Sequence, residues 1–374
     1  MNKAEKIQNN HNVLLIGHFP WWIIALCFLI SLSGITDHDL WTPDEPREAA
    51  IALKMGRTGN IVIPKLAEEP FVEKPPLYYI VASSALSLFG RILGNTPALR
   101  LTSALWGLGT LCMTWLLAKR LMNRKLAVLA MLVLAATPGF IHVTHWLLVD
   151  NALVFFVVAA LWSFSEAYEG NRLGYLPLAG LFTAGAFLSK GLIGPVIIAI
   201  GWFGLAIPWM LRRGCRSAFK LRSVGFHVFA LLIFACAVLS WVVALRVVGG
   251  PDLWHEWFWE NQVGRFSGQA IHLGHINGPF YYLGIIPVYL LPWIVVLIPG
   301  LVSITIRIWR EKRLPQPWLF LLCWGVGGLL LLSLASTKRE IYLIILLPAF
   351  AMIIALTLSE FANMPQRTIW KLEK

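Results

Sequence analysis

In WTPDEPREAA, residues 41–50, the side chains of Asp44, Glu45, Arg47 and Glu48 crowd into a short stretch. Glu73 and Lys74 follow in EEPFVEKPPLYY, residues 68–79. Asp150 ends HVTHWLLVD, Lys190 sits in FLSKGLIGP, and Lys338 and Arg339 sit in ASTKREIYL, each between apolar runs. Further along, DLWHEWFWENQVGRF carries His255, Glu256, Glu260 and Arg265 among aromatic side chains. Arginine and lysine grip a lipid phosphate or pyrophosphate through charge-assisted hydrogen bonds. A carboxylate among them can take a proton from an acceptor hydroxyl.

Each residue also has a plainer reading. A solvated loop carries charges of the same kind. Lysines beside hydrocarbon snorkel to the interface, and Asp150 can cap a helix. The aromatic second segment can simply anchor at the membrane surface. His272 and His275 read as loop histidines rather than a metal pair, and Asp37-His38-Asp39 is a weak cation motif. The five cysteines are scattered without CxxC or metal-ligand spacing, so neither a disulfide framework nor a zinc site is expected. What favours chemistry is convergence, and convergence depends on the elements that carry these residues.

The chain is 58% hydrophobic and only 13% charged, with mean hydropathy +0.70. Apolar runs of about 20 residues recur along it, the length needed to cross a bilayer. The expected class is all-α, a polytopic transmembrane bundle of about ten spans. These are placed near 19–35, 98–118, 126–146, 152–168, 174–190, 192–211, 224–248, 280–306, 317–336 and 341–360. Residues 19–35 read as a retained first span, because no small-residue cleavage site follows them. Residues 76–90, short and led by prolines, read as an interfacial helix. The stretch DEPREAAIALKMGRTGN, residues 44–60, suits a short amphipathic helix with Asp44 near its positive end. The whole of 1–374 reads as one membrane-embedded domain with long outer loops at 36–97 and 249–279 and no soluble domain after the last run.

Charge tests this layout. If 76–90 does not cross, one face collects the basic clusters at 3–6, 119–125, 172, 212–222, 307–313 and 367–374. That face holds 19 of the 31 basic residues and six of the 19 acidic ones. Positive-inside bias assigns it to the cytoplasm, with both termini, and assigns the two long loops to the outside, periplasmic in a bacterium. The net charge of +12 then reflects topology and anionic membrane lipids, and no nucleic-acid partner is expected. An outer site has no ATP or nucleotide sugar to hand, so a lipid-carried activated group fits it.

Six motifs in order give the chain a resemblance over about residues 20–350. They are DEPR at 44–47, FVEKPPLYY at 71–79, LLVDNA at 147–152, LSKG at 188–191, the second-loop segment ending in Arg265-Phe266, and STKREIYLIILLPA at 336–349. The chain resembles the GT-C-fold glycosyltransferases that use polyprenyl-phosphate sugars. Within them it is most similar to the protein mannosyltransferase-like group that includes the lipid A aminoarabinose transferases. The resemblance implies an inverting inner-membrane transferase that takes a sugar from undecaprenyl phosphate to a lipid, glycan or protein acceptor. It implies Asp44 as the principal catalytic carboxylate, with Glu45 beside it. Arg47, Lys74, Lys190, Arg265 and Tyr342 would hold the donor phosphate, and Asp150 would orient a basic neighbour or the acceptor. A phosphate acceptor would need no general base. Glu73, Lys338, Arg339 and His255 are further candidates. Glu73 matches a carboxylate that in some members binds a metal with a second-loop histidine. Here that region reads Glu260-Asn261-Gln262, so no required metal or other cofactor is expected. Relatives usually continue into further spans and a soluble outer domain, so a partner subunit could complete the acceptor site. Two other readings remain: a transporter of polyprenyl or anionic lipids, and a noncatalytic partner subunit.

Overall fold

In hydrocarbon a backbone must satisfy its own N–H and C=O groups, so apolar runs of this kind fold as helices. The computed structural model describes residues 21–36, 39–214, 221–269, 275–312, 314 and 316–362. Within these the chain is helical apart from one two-residue hairpin, in which β1 (Lys65–Leu66) pairs antiparallel with β2 (Glu69–Pro70).

The first helix, α1 (Trp21–Leu32), leads to a first long segment that carries α2 (Asp44–Thr58) and α3 (Leu77–Leu93). As expected, α2 is amphipathic. Its buried face of Glu45, Glu48, Ala49, Ala52 and Met55 repeats every three or four residues and packs on α3 through Tyr78, Tyr79 and Ala82. At 17 residues α3 is shorter than a typical span.

A bundle follows: α4 (Asn95–Leu121), α5 (Arg124–Ala135), α6 (Pro138–Thr144), α7 (Asp150–Tyr168), α8 (Leu176–Lys190), α9 (Ile193–Arg213) and α10 (Leu221–His255). The middle of the bundle is α7, which packs against α4, α8 and α9 and is apolar all round between Ala152 and Trp162, as a buried helix must be. At Gly250 the φ of +77 bends α10 just before Pro251, turning the chain into a second long segment. That segment is π-helical over Glu256–Gly264. Beyond it lie α11 (Tyr281–Tyr289), α12 (Ile294–Glu311), α13 (Gln316–Leu321), α14 (Gly328–Leu334), a 3₁₀ turn over Glu340–Ile345, and α15 (Leu347–Ala362).

The expected count of about ten spans is not reproduced. Among the described residues five helices are long and apolar enough to cross, or seven if each bent pair is one span. The differences follow from breaks that composition does not weigh. At Pro138 α5 and α6 meet at 66°, and around Pro292 α11 and α12 meet at 119°. The helices α1, α3 and α15 are apolar but short.

A charged cavity at the ends of the helices

Asp44 opens α2, where the helix dipole favours a negative charge. Its carboxylate is buried and accepts from both terminal nitrogens of Arg339, at 3.1 and 2.5 Å, and from Arg47 Nη2 at 2.8 Å. Burial opposes ionisation of Asp44, but the Arg339 hydrogen bonds and charge, with Arg47 and Lys74, prevail and hold its pKa below the ordinary value. Against the same cost of burial, Asp44 and the neighbouring chain raise the pKa of Arg339.

One helical turn on, Glu48 accepts from Lys74 Nζ and from the Tyr79 hydroxyl, both at 2.6 Å, and from Arg47 at 3.2 Å. Glu73 pairs with Arg265 Nη2 at 3.2 Å. Its pKa is also lowered: burial would raise it, but Lys74, Arg265 and Arg47 outweigh that. Asp150, at the start of α7, is ion-paired with Lys190 at the end of α8, and the Lys190 ammonium lies 4.1 Å from the centre of the Tyr342 ring.

All of these groups except Glu48 and Tyr79 line one cavity of about 490 Å³. Its charged lining is Arg47, Lys74, Lys190, Arg265 and Arg339 with Asp44, Glu73 and Asp150, so cations are in excess. Leu148, Leu153, Ile193, Val196, Leu331 and Ile345 are among its apolar lining. Arg47 Nε is buried without a hydrogen-bond partner, which leaves a strong donor in a cavity-lining side chain unused.

Two local devices hold the wall together. Gly191 follows Lys190 with φ +80, and a Cβ there would stand 2.1 Å from Gln262 Oε1. That oxygen accepts from Leu192 N at 3.0 Å, so only glycine lets the second segment dock on the corner. Lys338 is buried away from the cavity and donates to the carbonyls of Asn277 and Ala335, at 2.8 and 2.5 Å. With an isolated bridge between Ile276 and Thr337 it ties the two segments that present Arg265 and Arg339.

Asp44, Arg47, Glu73, Lys74, Asp150, Lys190, Arg265, Arg339 and Tyr342 therefore converge, as the sequence led us to expect. Three candidates do not reach the cavity. His255 is exposed at the end of α10, Lys338 is a structural tie, and Glu45 faces Arg100. Both Glu45 oxygens are engaged: Arg100 Nε and Leu147 N reach Oε1 at 3.0 Å each, and Arg100 Nη2 and Trp41 N reach Oε2 at 2.8 Å each. Burial works against its ionisation, but these bonds leave its pKa lowered. Sequence reading missed Arg100, although an isolated arginine inside an apolar run is a signal in itself. It also gave no role to Asn261 and Gln262, which line the cavity. His272 and the pair Asp37-His38 lie outside the described residues. Among the described residues no three His, Cys, Asp or Glu side chains group as metal ligands.

Comparison with known proteins gives this arrangement a context. A family model for dolichyl-phosphate-mannose-protein mannosyltransferases matches residues 73–241. Several relatives are described as undecaprenyl phosphate-alpha-4-amino-4-deoxy-L-arabinose arabinosyl transferases. The one from Erwinia tasmaniensis is 32% identical over 335 residues, covering 87% of this chain and 56% of its own. Those from Aeromonas hydrophila and Proteus mirabilis are 30% and 29% identical, covering 88% and 89% of this chain and 58% of each relative. The chain thus spans less than two thirds of the length of these relatives. Among solved structures, ArnT from Cupriavidus metallidurans bound to undecaprenyl phosphate matches with a TM-score of 0.77 at 21% identity, over 94% of this chain and 61% of that one. The Archaeoglobus fulgidus oligosaccharyltransferase AglB, in complex with an inhibitory peptide and a dolichol-phosphate, matches at 0.55 and 15% identity, over 90% and 50%.

Proposed function

The chain has the GT-C fold and is related along most of its length to the lipid A aminoarabinose transferases, and on that premise we propose that it is a membrane glycosyltransferase. It moves a sugar from a polyprenyl phosphate carrier, undecaprenyl phosphate in a bacterium, to a lipid, glycan or protein acceptor. The observation that carries the reading is the mixed lining of one cavity. Five cations drawn from distant segments line it together with aliphatic side chains, a combination that suits a phosphate headgroup joined to a hydrocarbon chain.

In the transfer, the acceptor oxygen attacks the anomeric carbon, the bond from that carbon to the phosphate oxygen breaks, and the carrier phosphate leaves with the electron pair. The proton of a hydroxyl acceptor passes to that departing phosphate, and an ionised phosphate acceptor has none to lose. Arg47, Lys74, Lys190 and Arg265 stabilise the charge that develops on it, with Arg339 and Tyr342 at the rim. Each of these cations rests on a carboxylate, so the donor phosphate enters a site whose geometry is already set. Asp44, ionised and held by two guanidinium groups, positions reacting groups and balances the positive charge at the sugar carbon. Asp150 orients Lys190. Glu73 is paired with Arg265, and this pairing supports a reaction without a required metal, although His275 lines the cavity beside the amides Asn261 and Gln262.

The cavity opens to the outer face of the inner membrane. Supporting this, α7 runs from Asp150 in the cavity to Glu166, which pairs with Arg120 and Arg172 in the basic clusters. That separation is roughly 24 Å of helix, most of a hydrocarbon core. The test is mass spectrometry of lipid A, envelope glycans and outer proteins with and without this chain. Loss of one sugar mass from one class names donor and acceptor together. An unchanged envelope with a redistributed carrier lipid overturns the reading in favour of transport.

A further inference from the structure

Arg100, on α4, has no exposed side-chain surface and does not line the cavity. It grips both oxygens of Glu45 and also donates from Nη2 to Asp39 O at 2.9 Å and from Nη1 to Ile35 O at 3.4 Å. Glu45 in turn receives the backbone N–H groups of Trp41 and Leu147. One buried ion pair thus joins the exit of α1, the start of α2, the body of α4 and the turn before α7. Two of those segments carry cavity carboxylates: Asp44 is the neighbour of Glu45, and Asp150 lies three residues beyond Leu147.

We propose that Arg100 is a positioning residue of the transfer site, acting through Glu45 to hold Asp44 and Asp150 in fixed relation across the cavity. A buried pair of this kind is weak evidence for stability, since apolar replacements are often tolerated. What an apolar pair cannot supply is direction. The guanidinium fork fixes the Glu45 carboxylate plane, and that plane fixes two backbone N–H groups on separate segments. Of the cavity cations, Arg47 rests on Asp44 and Lys190 on Asp150, whereas Lys74 rests on Glu48 and Arg265 on Glu73, so part of the donor grip is independent of the two carboxylates this pair places. The kinetic part of the inference rests on the transferase reading, whereas the coupling of the two segments does not.

The test uses the full chain in lipid nanodiscs, as wild type, Arg100→Lys, and the double variant Glu45→Gln/Arg100→Met, which keeps a neutral buried pair should Arg100→Lys fold poorly. Amide hydrogen exchange is read in peptides covering 39–48 and 145–152, with undecaprenyl phosphate affinity and single-turnover transfer beside it. Exchange rises in both peptides together, carrier affinity falls far less than transfer because Lys74 and Arg265 keep their own partners, and transfer slows by about 10²-fold, the loss expected for a displacement of about 1 Å. Arg100→Lys, which keeps the charge, recovers part of the rate. Unaltered exchange, or a rise in only one peptide, overturns the coupling. Affinity falling in step with rate overturns the positioning role, because the variant has then lost the cavity as a whole. A wild type that neither binds nor transfers removes the transferase reading, and the exchange data alone then decide the coupling.

Discussion

Asp44 and Arg339 stand 295 residues apart in the chain, yet both oxygens of one face both terminal nitrogens of the other across the cavity rim. The pair closes the site between α2 and the corner after α14, and it leaves Asp44 no free choice of protonation state.

Asp44→Asn should reduce transfer by about 10³-fold or more, since it removes the one carboxylate that both Arg47 and Arg339 hold. Insertion into the membrane should be unchanged. Carrier phosphate affinity should be equal or higher, because two guanidinium groups lose their competing anion. Wild-type transfer rates in single-turnover assays would take Asp44 out of the site.

Lys74→Ala should lower both carrier affinity and transfer, and it should destabilise the protein by about 3 kcal/mol by leaving Glu48 buried without its lysine. Lys74→Met combined with Glu48→Gln should regain most of the stability and none of the transfer. Thermal unfolding and transfer assays on the same preparations separate the two effects.

Acid should weaken the fold through the outer carboxylates. The pKa values of Asp44, Glu45 and Glu73 are lowered by folding, so the stability they contribute is complete above their unfolded values, about 3.9 for Asp and 4.3 for Glu. It is lost as pH falls through the folded values. Unfolding temperature should therefore show no loss from these groups between about pH 6 and 8 and should decline below about pH 4. Arg339→Gln should move the Asp44 part of that decline to higher pH.

Gly191→Ala should impair transfer without touching a charged residue. It forces a side chain into a left-handed backbone, at a cost of about 1–2 kcal/mol, and into the Gln262 amide. Faster exchange in the segment around Asn261 and Arg265, with reduced transfer, is the expected result. Normal activity would show that docking of this segment is not needed.

Transfer should survive exhaustive chelation. Loss of activity on treatment with EDTA, restored by one divalent ion, would show that Glu73 leaves Arg265 to serve a metal.

Much of the site is legible in the amino-acid order. The segments bearing Asp44, Lys74, Asp150, Lys190, Arg265 and Arg339 are marked by charge beside hydrocarbon, and a charge in that setting needs a partner or a cavity. The partners are not legible there. Glu45 reads as a twin of Asp44, but an offset of one residue on a helix turns a side chain by about 100°, and Glu45 meets Arg100 instead of the cavity. Lys338 and Arg339 separate in the same way, one into a backbone tie and the other onto Asp44. The excess of expected spans has a different origin. Apolar length counts residues, whereas the bends at Pro138 and around Pro292 depend on how each half packs.

By itself the sequence determined the helical membrane class and the segments that carry charge, because hydropathy and helical periodicity act over neighbouring residues. Only the tertiary structure decided which carboxylate each cation holds. That choice depends on distances between segments up to 295 residues apart, and ion pairing falls off within a few ångströms.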